Sequence, residues 1–225
     1  MRQIFLDTET TGLEAERGHR IIEVVALSYS DRRLSEEGRF HHFCNPRRAI
    51  DIGAQKVHGI DAEFLADKPE FSEIAAALQD FLRGGEVIIH NAAFDRAFLD
   101  AEFARCEMPP LLDICGVSCS LEMSRAKIPG LRHHRLEDLC RHFGVDFSAR
   151  TTHNALLDAK LLAQVYFAMT REQMPMTMAS GAARRMSLRA APIITRAANA
   201  AELSAHEEFL AAMEKETGVK PIWRR

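Results

Sequence analysis

The sequence predicts an α/β domain on a mixed sheet, and three observations carry that prediction. Apolar runs rich in β-formers come first, at residues 4–6 and 21–29. A third run, Val87-Ile88-Ile89, stands between two stretches whose apolar residues recur at helical spacing. Strands first, then strands alternating with helices, describe a mixed central sheet flanked by helices.

The elements follow in order. Residues 40–44 read as a shorter strand, and the polar stretch 31–39 before it suits an antiparallel hairpin. A helix over 69–82 places Phe71, Ile74, Ala75, Leu78, Phe81 and Leu82 on one face, with Pro69 near its start and Gly84-Gly85 after its end. The strand at Val87 leads into a helix carrying Phe94, Ala97, Phe98 and Ala101. Another helix runs from about 134 to 143 and is closed by Gly144. The longest begins near His153 and reaches about Met169. Residues 1–172 are therefore expected to form the α/β domain.

Composition then shifts. Residues 173–201 hold four arginines (184, 185, 189, 196), four methionines and no acid, without sustained periodicity. We read 173–200 as a flexible linker. Asn199 followed three residues later by Glu202 is a helix-start signature, so 201–225 reads as a short helix to Thr217-Gly218 and an extended tail.

The chain of 225 residues is 47% hydrophobic and 27% charged, the balance of a soluble globular protein. Charge arrives too early at the N-terminus for a secretory signal. Five cysteines, an odd number without a CxxC pair, argue against a disulfide framework and point to a reducing cytoplasm. A net charge of −3 excludes nucleic-acid binding by a broad basic surface, so any such binding is local or partner-assisted.

Three acidic signals carry the chemistry. Asp7 and Glu9 stand two residues apart at the end of a strand, which puts them on one face. Two carboxylates so placed repel each other, and a hard divalent cation relieves that cost. Asp95 falls in the first turn of a helix just beyond a strand end, where ligand sites in open α/β sheets gather. His153 and Asp158 are five residues apart, or roughly 140° around an ideal helix. They converge only if His153 lies on the loop or first turn, a placement that hydroxyl caps from Thr151-Thr152 would favour. A helix N-terminus would also keep His153 neutral and able to accept a proton.

In order and spacing, Asp7-Thr8-Glu9, His90-Asn91-Ala92-Ala93-Phe94-Asp95 and His153-Asn154-Ala155-Leu156-Leu157-Asp158 resemble the DEDDh exonucleases. Val57-His58-Gly59-Ile60 and Asp67-Lys68-Pro69 are similar to segments of the epsilon proofreading subunits of bacterial DNA polymerase III. The resemblance implies a ribonuclease H-like fold and 3′→5′ hydrolysis of DNA ends with two divalent cations, Mg2+ or Mn2+. It implies that Asp7 bridges the cations, Glu9 and Asp158 complete one site, Asp95 supports the other, and His153 is the general base. It places Gly12, Leu13, His58, Asn91 and Phe94 around the terminal nucleotide. Many relatives have glutamate where this chain has Gly53, so a side-chain contact is lost there.

The resemblance extends to partners. Gln173, Met176 and Met178 are similar to a sliding-clamp-binding peptide, and a methionine-rich linker without a partner stands equally open. The tail ending in Trp223 resembles the segment that docks on the polymerase catalytic (alpha) subunit; a lone tryptophan among charges suits a partner pocket. A cytoplasmic, replisome-associated protein is implied. Two other readings stay open: a free-standing nuclease of RNA ends or oligonucleotides, and a non-catalytic polymerase–clamp adaptor. A zinc site from Cys115, Cys119, His133 and His134 is expected not to form, Cys115 falling in a strand. Arg132-His133-His134-Arg135 reads as a solvated turn and His41-His42 as half-exposed sheet surface.

Overall fold

The computed structural model describes residues 2–150, 152–171 and 199–218. It divides into two compact units, Met1–Met174 and Pro175–Arg225. The first holds a five-stranded sheet in the order β3-β2-β1-β4-β5. These strands are β1 (Gln3–Thr10), β2 (Ile21–Ser30), β3 (Arg33–Phe43), β4 (Glu86–Ile89) and β5 (Gly116–Cys119). β2 is antiparallel to β1 and β3, whereas β4 is parallel to β1 and β5. The sheet is mixed, as expected.

Alternation along the strands sorts the core into two layers. Ile4 and Leu6 of β1 face α3 (Phe71–Leu82) and α4 (Ala92–Arg105), in one cluster with Phe71, Leu78, Phe98 and Leu99. Phe5 points the other way, onto α7 (Leu136–Phe143) and α8 (Ala155–Met169), beside Leu139, Leu161, Leu162 and Val165. Because helices cover both faces, β1 is apolar at consecutive positions. Glu70 and Glu73 close a capping box at the start of α3.

Several elements depart from the sequence reading. Residues 31–39 are mostly strand: Asp31 and Arg32 alone make the turn, both at positive φ, and Ser30 pairs directly with Arg33. A two-residue turn with both φ positive matches strand twist, and β3 lies at the sheet edge, where polar side chains meet water. Cys115 precedes β5 rather than lying in it. The short helices α1 (Ile52–His58), α2 (Ala62–Leu65), α5 (Leu111–Ile114) and α6 (Ser120–Lys127) carried no clear signal.

In the second unit, α9 (Ala200–Thr217) starts at the Asn199/Glu202 capping box and ends at Gly218 in the left-handed conformation. Gln173, Met176, Met178 and Trp223 lie outside the described residues.

Candidate active site

β1 outruns its parallel neighbour. Pairing with β4 stops at Leu6–Ile89, while pairing with β2 continues to Thr10. Asp7 and Glu9 therefore sit within β1, not at its end, on a stretch beyond the carboxyl end of β4. Both share the face of Phe5, which is the face covered by α8. Asp95 arrives in the first turn of α4, directly after β4, and accepts a 2.8 Å hydrogen bond from the Thr8 hydroxyl. Asp158 lies in the first turn of α8, 4% exposed.

His153 precedes that helix. Its backbone N–H donates to the Val57 carbonyl at 3.1 Å, and Asn154 is the cap, accepting from the Leu157 N–H at 3.0 Å. The expected hydroxyl cap is thus replaced by the Asn154 side chain; Thr151 lies outside the described residues. With His153 off the helix, its Nδ1 reaches within 3.5 Å of Asp158 Oδ2. The His153 pKa is lowered first by burial and then by the nearby Arg150 charge, so neutrality comes from those neighbours.

Sequence reasoning missed two groups, Arg150 and Glu23. Arg150 donates to both oxygens of Asp158, from Nε at 2.5 Å and Nη2 at 2.8 Å, and from Nη1 to Glu137 at 2.5 Å. Glu23 of β2 sits opposite Glu9 in the sheet, 1% exposed, and is held by His41 Nε2 at 2.8 Å. An acid inside the apolar run of residues 21–27 was the available signal for Glu23.

A single cleft of about 1120 Å³ is lined by the four acids, His153 and all five expected nucleotide contacts. Leu13 is 80% exposed at this cleft, which the exposed Val57 also lines. Phe94 packs against Phe98 behind it, with ring centroids 4.9 Å apart and the planes tilted by 47°. Asn91 adopts the left-handed conformation at φ 64° before α4, which asparagine tolerates better than most residues. His58 accepts from the Ile60 N–H through Nδ1, leaving Nε2 buried without a partner. Gly12 is fixed by packing: a Cβ there would fall 2.3 Å from the His19 ring. Gly53 borders the cleft with open space where a Cβ would be. Arg125, Arg132 and Arg135 line the same cleft, so the expected solvated turn forms one of its walls.

Electrostatics set these carboxylates apart. Burial, then Asp95, Glu9 and Asp158, hold Asp7 well above the usual carboxylate range. Burial, then Glu23, Asp158 and Asp95, push Glu9 up to about 8. Asp95 rises to about 7 by burial, against the opposing hydrogen bond from Thr8. This is excess negative charge in a desolvated place.

The exonuclease family profile matches residues 4–166. The DNA polymerase III subunit epsilon of Escherichia coli (strain K12) is 41% identical over 239 residues, covering 99% of this chain and 97% of that protein. The subunit of the same name from Haemophilus influenzae is also 41% identical, covering 99% and 94%. This chain belongs to the DNA polymerase III epsilon family of exonucleases. Among solved structures, the zinc-bound form of E. coli exonuclease I with single-stranded DNA shares the fold, at TM-score 0.68 and 20% identity over 76% of this chain and 41% of that one.

Exonucleases of this fold use divalent metal ions, and the epsilon-family site in this chain fits them. Glu9 Oε1 is buried without a hydrogen-bond partner. Ligand atoms of Glu9, His153 and Asp158 lie within 4.8 Å of one another. Carboxylate oxygens suit hard cations. The zinc set from Cys115, Cys119, His133 and His134 does not assemble among the described residues; His134 Nδ1 instead pairs with Ser124 Oγ at 3.0 Å.

Proposed function

We propose that this chain is the 3′→5′ proofreading exonuclease of a bacterial replicative DNA polymerase, releasing nucleoside 5′-monophosphates from DNA ends. The observation that carries this reading is the set of four mutually repelling acids from β1, α4 and α8, with a buried unpartnered Glu9 oxygen, beside a neutral histidine. Asp7, Glu9, Asp95 and Asp158 would hold two cations, Mg2+ or Mn2+. When bound, divalent cations neutralise phosphate charge and make water acidic enough to attack at neutral pH. His153 takes the proton of the attacking water on its unprotonated ring nitrogen.

Substrate contacts follow from the cleft. Leu13 and Phe94 offer apolar surfaces to a base without reading its edge, which suits an enzyme that must remove any nucleotide. A mismatched terminal base is cheap to unpair, and that favours its entry. Asn91 and the free Nε2 of His58 are polar groups for the sugar and phosphate. Arg125, Arg132 and Arg135 attract the phosphates of preceding nucleotides; a cleft beyond the roughly 300–1,000 Å³ of ordinary ligand sites has room for them.

Residues 201–225, including Trp223, dock on the polymerase catalytic subunit, and Gln173, Met176 and Met178 contact the sliding clamp. Support comes from α9, whose Leu203 and Phe209 are 55% and 65% exposed. The relatives that match over this region are polymerase subunits. A cytoplasmic, replisome-associated setting follows from that role; no helix among the described residues is long and apolar enough to cross a membrane. The test uses matched and 3′-mismatched primer–templates with Mg2+, the labelled strand being DNA or RNA. Faster shortening of mismatched DNA is expected. Strong preference for RNA would favour a free-standing RNA-acting nuclease, and no cleavage would favour an adaptor.

A further inference from the structure

Arg150 is the cleft residue whose position the proposed chemistry does not use. Its side chain is 6% exposed, buried beside acids that the reaction assigns to cations. It grips both Asp158 oxygens, and its Nη2 also lies 2.9 Å from His153 Nδ1 and 3.1 Å from Nε2. One nitrogen so nearly equidistant from both ring nitrogens lies against the face of the imidazole and places its charge beside His153. Asp158 is engaged directly, since a bidentate guanidinium places one positive charge against both oxygens that a cation would share. The third arm of Arg150 differs: Glu137 is 41% exposed and outside the acid cluster, with Arg141 3.5 Å from its other oxygen.

We propose that Arg150 is a displaceable counter-charge, a positioning residue that holds Asp158 in register and yields it when a cation binds. Cation loading at Asp158 then leaves Arg150 on Glu137, which its Nη1 already contacts. The two positive charges compete for one carboxylate. Linkage makes the competition reciprocal: whatever Arg150 contributes to the cation-free site is subtracted from cation affinity. The inference rests on the cation-site reading above, and deepens it by adding a residue whose removal strengthens metal binding.

The experiment is Mn2+ titration by calorimetry on the full chain, with thermal unfolding in chelator and in saturating Mn2+, for wild type, R150Q, R150K and E137Q. R150Q should bind Mn2+ about fivefold or more tightly. It should lose melting temperature in chelator, where Asp158 is left buried without a partner, and recover most of the loss in Mn2+. R150K keeps the charge without the fork and should fall between. E137Q removes the anion that receives Arg150 and should weaken Mn2+ binding. If Arg150 is only a structural brace, R150Q will lower the melting temperature equally with and without Mn2+ and leave affinity unchanged or weaker. That outcome, or an E137Q shift in the same direction as R150Q, overturns the proposal. Absence of Mn2+ binding to the wild type would instead overturn the cation-site reading beneath it.

Discussion

His153 stands at the mouth of the acid cluster with half of its side chain exposed, where a base must be to meet water. Its replacement by alanine should lower kcat by about 10²–10⁴ while Mn2+ affinity falls little, because the carboxylates carry the ligation. Steady-state rates beside a metal titration check this; loss of both together would make His153 a ligand. At this scale the acids and histidine were legible because strand parity and strand-to-helix junctions constrain where a side chain goes. Arg150 and Glu23 were not. Arg150 acts from an irregular loop, whose direction no period predicts. Glu23 meets Glu9 only through sheet pairing, which local sequence does not encode.

Among elements, the segment from α6 to the start of α7 shapes the cleft most. Arg125, Arg132 and Arg135 project into it, and no ion pair engages them among the described residues. A triple glutamine variant should raise KM for single-stranded DNA and leave kcat near wild type. It should also flatten the salt dependence of binding by about two in log–log slope, at about 0.7 per neutralised phosphate. A single-nucleotide phosphodiester, with no further phosphates, should be cleaved as before; a loss there would mean damage to the site. The long elements were readable, α3 from its apolar face and α8 from its length. β5 was not, because Gly116-Val117-Ser118-Cys119 at a sheet edge has one branched apolar residue and no alternation.

For the molecule as a whole, the acid cluster ties stability to pH. Glu9 and Asp95 are raised from ordinary values of 4.5 and 3.8 to about 8 and about 7. The folded chain then binds more protons than the unfolded one across that window, so these groups cost nothing below it and destabilise progressively as pH rises through it. In chelator at pH 8, E9Q should melt higher than wild type by about 2–4 °C or more, and the difference should vanish near pH 4.5. Parallel melting curves across pH would contradict this. The broad organisation was legible from composition: a patterned α/β region, then a stretch without acids, then a capped helix. What the sequence alone left open was how the first region closes around its acids, which depends on β1 outrunning β4.

If Asp7 and its neighbours hold the cations of a 3′→5′ exonuclease, the fate of a labelled strand shows it. Single-stranded DNA labelled at its 5′ end is incubated with the protein and Mg2+, with Asp7→Asn and a chelator in parallel. A ladder shortening one nucleotide at a time from the 3′ end is expected, with nucleoside 5′-monophosphates released, and abolished in both parallels. Cleavage that survives the chelator or Asp7→Asn, or that begins at internal sites, would contradict it.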